Sequence, residues 1–132
     1  MEESKDLMLE QKDIEELHKR LSRIDLRDSF SRQGNEENIE LTVHKINYAK
    51  LKIQPEKNHW RPHFHIEYKQ EHSASYAIDS LEKLAGNMPK KYEQPIIDWA
   101  DEQRENLKAT WDKLKAGKDV KEFVSEKKSI FF

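Results

Sequence analysis

Three histidines, His59, His63 and His65, stand close together in the stretch HWRPHFHIEYK. Residues two apart on a strand point the same way, about 6.6 Å from one another. Two imidazoles so placed can converge on one ion, which makes the pair His63 and His65 a recurrent metal arrangement. His59 is the third donor. Pro62 confines Arg61 to extended backbone and so sets how His59 returns towards the strand. Three imidazoles suit zinc or another borderline divalent ion, with a position left for water. Glu67 shares the face, but on an extended strand it lies about 13 Å from His63, too far to join it on one ion.

A second chemistry needs no metal. Arg61, His63, His65 and Glu67, next to Lys57, offer an acid, a base and a phosphate clamp of the kind RNA cleavage requires. The formal net charge of −2 weakens general attraction to nucleic acid. It hides a gradient: net −5 over residues 1–40, +4 over 41–69 and −1 over 70–132. The basic excess sits with the histidines and could draw an anion. Lysines on a solvated strand face give the same count. The structural alternative is that His63 and His65 line the space between a sheet and the last helix, bonded to its carboxylates, with no ion. The other candidates are bland. His18 and His44 are isolated, and His72 sits in a turn. Three glycines cannot supply a phosphate loop, and no serine elbow is present.

The elements around this cluster follow from composition and period. A chain of 132 residues is one domain by length. It is 35% hydrophobic and 38% charged, so a modest core with solvated helices is expected. Three Trp, four Tyr and five Phe argue against general disorder. There is no cysteine, which excludes disulfides, thiolate metal sites and a cysteine nucleophile. No apolar run approaches the roughly 20 residues that span a bilayer. The opening MEESKDLMLE lacks the basic and apolar regions of a secretory signal, so a cytoplasmic protein is expected, with no membrane partner.

Residues 4–28 read as an amphipathic helix, with Leu7, Ile14, Leu17, Leu21 and Ile24 at three-four spacing. The stripe can pack on the chain's own sheet or on a second copy, making a homodimer through residues 4–28. Gly34 lies in the linker that follows. Residues 39–54 are β-rich, with a parity break near 47–50. Residues 63–69 alternate cleanly: Phe64, Ile66 and Tyr68 to one face, His63, His65, Glu67 and Lys69 to the other. Residues 73–79 form the next strand, reached by a hairpin at residues 70–72. SLEKLAG reads as a helical turn stopped by Gly86. Pro89 or Pro95 opens a long last helix with Ile96, Ala100, Gln103, Leu107, Trp111 and Leu114 on one stripe beside Trp99, ended by Gly117. Residues 121–132 read as a tail.

The segments HWRPHFHIEYK, SYAIDSLEKLAGNMPKK and IIDWADEQRENLKATWDKLKAG resemble a small bacterial domain of unknown function, the family catalogued as 4160. The resemblance covers about residues 41–120. His59, Pro62, His63, Phe64 and His65 match the family motif, and Trp99, Leu107 and Trp111 match its helix. Arg61 replaces the usual first proline, and Gln103 stands where a histidine is common. The resemblance implies a gene paired with that of a small protein partner, in the manner of toxin–antitoxin modules.

The expectation is therefore an α+β protein. A small antiparallel sheet of three or four strands is packed by a long C-terminal helix and preceded by an N-terminal amphipathic helix. The units are residues 1–33 (the first helix), 39–120 (the domain with the motif) and 121–132 (a tail). The expected function is the binding component of a toxin–antitoxin-like or defence-associated gene pair, with a histidine-lined site for a ligand or anion and no assured cofactor. The competing function is a small nuclease, metal-assisted or not, using His63, His65, Arg61 and Glu67.

Overall fold

A computed structural model of the chain describes residues 8–31, 48–55, 61–117 and 119–125. Its elements run α1 (Gln11–Ser31), β1 (Ala49–Ile53), β2 (His63–Tyr68), β3 (His72–Ala77), β4 (Lys83–Asn87), α2 (Lys90–Glu102), α3 (Arg104–Gly117) and β5 (Lys121–Val124). The strands form one antiparallel sheet in the order β4-β3-β2-β1-β5.

The central strand follows its alternation. Phe64, Ile66 and Tyr68 are buried, facing Leu51 and Ala49 on β1 and Tyr76 and Ala74 on β3. Leu51 and Ile53 continue the buried face on β1, and Phe123 extends it onto β5 opposite Leu51. The helices supply the other half of the core: Ile14, Leu17 and Leu21 from α1, Tyr92, Ile96 and Trp99 from α2, and Leu107 and Trp111 from α3. α1 packs on α2, β1 and β5, and α3 on α2 and β1. The apolar stripe of α1 is thus buried within its own chain.

Helix α1 begins later than its periodicity suggests. The Glu10 backbone N–H donates to the Asp13 carboxylate at 2.9 Å, the reciprocal half of a capping box, which fixes the start at Gln11. Leu9 precedes the helix and is buried, its N–H donating to Thr110 Oγ1 of α3 at 2.8 Å.

Three expectations are corrected. Among the described residues the sheet has five strands, not three or four. SLEKLAG is not a helical turn: its Leu, Glu, Lys and Ala favour helix locally, but pairing with β3 outweighs propensity and makes Lys83–Asn87 a strand. Leu81 turns the chain in left-handed geometry (φ 63°), and Gly86 does the same inside β4 (φ 94°). Residues 121–124, read as tail, are edge strand β5.

The long last helix is also two helices, divided at Gln103 (φ −99°, ψ 13°). Residues on either side are tethered elsewhere. The Trp99 indole N–H donates to the Asp13 carbonyl at 2.9 Å, and the Arg104 guanidinium donates to the Asp79 carbonyl beyond β3. Pro89 precedes the first turn of α2, and Pro95 lies inside the helix. Residues 39–47, Leu7, Lys57, His44, His59 and residues 126–132 lie outside the described residues.

Candidate functional site

The parity that buries Phe64, Ile66 and Tyr68 turns His65 and Glu67 to the opposite face of the sheet. Register assembles two cross-strand rows there. Lys52 stands between Glu122 of β5 and His65 of β2, and His65 stands opposite Ser75 of β3. One row on, Lys50 is opposite Glu67, and Glu67 opposite Ser73. Ala85 faces Ser75 from β4. Small residues on β3 and β4 and long charged ones on β1, β2 and β5 enclose a groove of about 510 Å³. Its formal charge is balanced, with Lys50 and Lys52 against Glu67 and Glu122.

Gly86 shapes the floor. A Cβ there would lie 2.5 Å from the Ala74 Cα and closer still to the Ser73 carbonyl oxygen. The close approach of β4 to β3 therefore requires glycine, as does its left-handed backbone.

The sequence candidates separate in space. His65 lines the groove, and its Nδ1 is 2.9 Å from the Ser75 hydroxyl. Glu67 lines it too. His63 shares their parity but is buried, its ring 5.2 Å from that of Trp111 on α3 and 5.1 Å from that of His65. His63 Nδ1 lies 2.8 Å from the Arg61 carbonyl oxygen, which can only accept. Nδ1 therefore carries the proton, and Nε2 is the acceptor or ligand atom in the neutral ring.

Arg61 does not line the groove. Its guanidinium donates to Asp79 at 3.2 Å, to Ser80 at 3.2 Å and to Glu82 at 3.5 Å, all on the turn between β3 and β4. The hydrogen bond to Asp79 raises the Arg61 pKa above its ordinary value. The same bond holds the Asp79 carboxyl below the usual carboxylate range. Arg61 thus binds a turn of its own chain.

Among the described residues no group of three His, Cys, Asp or Glu side chains is placed to hold a metal ion, and His59 lies outside them. The donors are two imidazoles, one of them packed against an indole.

Sequence reasoning missed Lys50, Lys52, Ser73, Ser75 and Glu122. The signal was present in part: Lys50 and Lys52 alternate with buried Ala49, Leu51 and Ile53, and Ser73 and Ser75 with Ala74 and Tyr76. It also missed a second polar cluster inside the core. Asp25 of α1 accepts from the Tyr68 hydroxyl at 2.7 Å and from the Tyr92 hydroxyl, and Lys69 Nζ approaches at 3.5 Å. Burial, then the neighbouring carboxylate, pushes both phenols well above their ordinary pKa. This cluster ties α1 to β2 and α2 and is structural.

Among the described residues no helix is long and apolar enough to cross a membrane. Neither a curated protein nor a solved structure matches the chain. Residues 49–112, from β1 to the middle of α3, match the model of a family described as a domain of unknown function, DUF4160.

Proposed function

We propose that this chain is the binding component of a two-protein pair of the toxin–antitoxin or defence-associated kind, acting in the bacterial cytoplasm. The partner is a small protein, and the surface that takes it is the groove face of the sheet. One observation carries the reading. The helices gather on one side of a five-stranded sheet, and the other side offers a groove of about 510 Å³ walled by charged and hydroxyl side chains. A sheet face packed on the core needs apolar residues, whereas this one carries Lys50, Lys52, His65, Glu67, Ser73 and Ser75.

Purification of the tagged full chain from its native host, beside a Lys50→Glu/Lys52→Glu variant, tests this. The neighbouring gene's product should accompany the first and be depleted from the second. Equal recovery with both would remove the groove from the interaction.

A second reading, a small nuclease, draws on His65 and Glu67 facing one groove beside Lys52. The separation of Arg61 and His63 from that groove weighs against the full acid, base and clamp set. Labelled RNA and DNA, incubated with the chain and with His65→Ala, with and without added zinc, decide it. Cleavage that disappears in the variant would support the nuclease; equal behaviour of the two proteins would end it.

A further inference from the structure

Two opposite charges on the groove face are left without a partner among the described residues. Lys50 reaches diagonally to Glu122 at 3.9 Å rather than to Glu67, the residue directly opposite it. Glu67 is left unpaired, and so is Lys52, which stands between Glu122 and His65. Lys52 and Glu67 are diagonal neighbours on adjacent strands, a relationship that sets their Cα atoms about 7–8 Å apart. Both are half-buried, so each is partly desolvated without an ion pair among the described residues.

An anion alone fits this pair poorly. A phosphate drawn to Lys52 would meet Glu122 on one side and Glu67 beyond His65. A nucleic-acid backbone would meet the same carboxylates repeatedly, on a face whose charge is balanced and whose groove has, among the described residues, no aromatic platform other than His65. The arrangement matches a ligand that carries both signs at a fixed separation. In an extended peptide, side chains two residues apart point the same way about 6.6 Å from each other, close to the span between Lys52 and Glu67. The small side chains of Ser73, Ser75 and Ala85, with Gly86, leave room for a backbone to lie across the floor.

We infer that the groove recognises an extended segment of the partner protein in which an acidic and a basic residue stand two apart. The acid meets Lys52 and the base meets Glu67. This rests on the partner-binding reading given above and names the chemistry that the groove would recognise.

The test uses the isotope-labelled full chain and three end-blocked, threonine-alternating peptides followed by amide NMR. One peptide carries a glutamate and a lysine two residues apart, one carries two glutamates and one two lysines. The mixed peptide should shift the amides of Lys52, His65, Glu67 and Ser75 and bind roughly fivefold tighter than either like-charged peptide, the scale of one exposed ion pair. Lys52→Glu should switch the preference to the di-lysine peptide, and Glu67→Lys to the di-glutamate peptide. Equal binding of all three peptides, or none, overturns the inference. So does inorganic phosphate that moves those amides when the mixed peptide does not. Adding the co-purified partner protein to the same sample reads the parent proposal separately. Partner-induced shifts in the groove without peptide selectivity sink only the charge pattern. A bound partner that leaves the groove amides unmoved sinks the groove itself.

Discussion

The carboxylate of Asp25 accepts the Tyr68 hydroxyl at 2.7 Å across 43 residues of chain, and the Tyr92 hydroxyl donates to its other oxygen. Asp25 is buried, and both phenols are almost fully so. Removing the acceptor leaves two buried donors unsatisfied beside Lys69. Asp25→Ala should therefore cost roughly 2–4 kcal/mol, the range for buried hydrogen bonds to a charged group. Tyr68→Phe should cost less, because it deletes one donor and leaves Tyr92 its acceptor. Urea unfolding of the single variants and of Tyr68→Phe/Tyr92→Phe checks this. The two phenylalanine effects should depart from additivity, since both donors use one buried carboxylate. Strict additivity would show that the two bonds act independently.

The same burial makes stability fall at alkaline pH. A phenol whose folded pKa lies above its unfolded value of about 10 keeps its proton in the native state longer than in the unfolded chain. The native state then holds more protons above about pH 10, and stability must decrease as pH rises from there. Tyr76, buried and donating to Glu93 at 2.8 Å, adds in the same direction. Urea midpoints should be level between about pH 7 and pH 9 and drop beyond about pH 10, with a shallower drop in Tyr68→Phe/Tyr92→Phe. An unchanged slope in that variant would place the alkaline sensitivity elsewhere.

Gly86 is the position where the groove floor is most exposed to mutation. Its φ of 94° disfavours any side chain, and its absent Cβ faces backbone rather than a movable side chain. Gly86→Ala should cost roughly 2–4 kcal/mol, combining backbone strain with displacement of β4 from β3. Amide exchange in Ser73 and Ala74 should speed up with it. A variant of unchanged midpoint and exchange would mean that β4 shifts freely, and the groove would lose its rigid wall.

What could be read in advance was local. Phe64, Ile66 and Tyr68 alternate on one strand, and Ile14, Leu17 and Leu21 recur on one helix, so period alone buried them. β4 was illegible because LEKLA is built of helix formers and becomes a strand only through pairing with β3. β5 was illegible because Phe123 and Val124 are a short apolar interruption among charges, and pairing with β1, with Leu51 opposite Phe123, makes it a strand. The unpaired charges at Lys52 and Glu67 depend on register between strands, which no single-strand pattern carries. His63 had the right parity for the groove and still left it, because Trp111, far along the chain, comes to lie against its ring.

That departure separates two histidines that the sequence treats alike. His63 is buried, packed on Trp111, and donates from Nδ1 to the Arg61 carbonyl. His63→Ala should lose packing and leave a carbonyl unpaired, at a cost of roughly 2–3 kcal/mol. His65 is half-buried, and its removal takes away the hydrogen bond to the Ser75 hydroxyl, worth roughly 1 kcal/mol. The Trp111 environment should change in the first variant and not in the second, so tryptophan fluorescence during urea unfolding measures both effects. The order of the two costs decides how any loss of function at these sites is read. If His63→Ala proves as benign as His65→Ala, the imidazole of His63 is not a packing element, and a functional role for it regains its place beside His65.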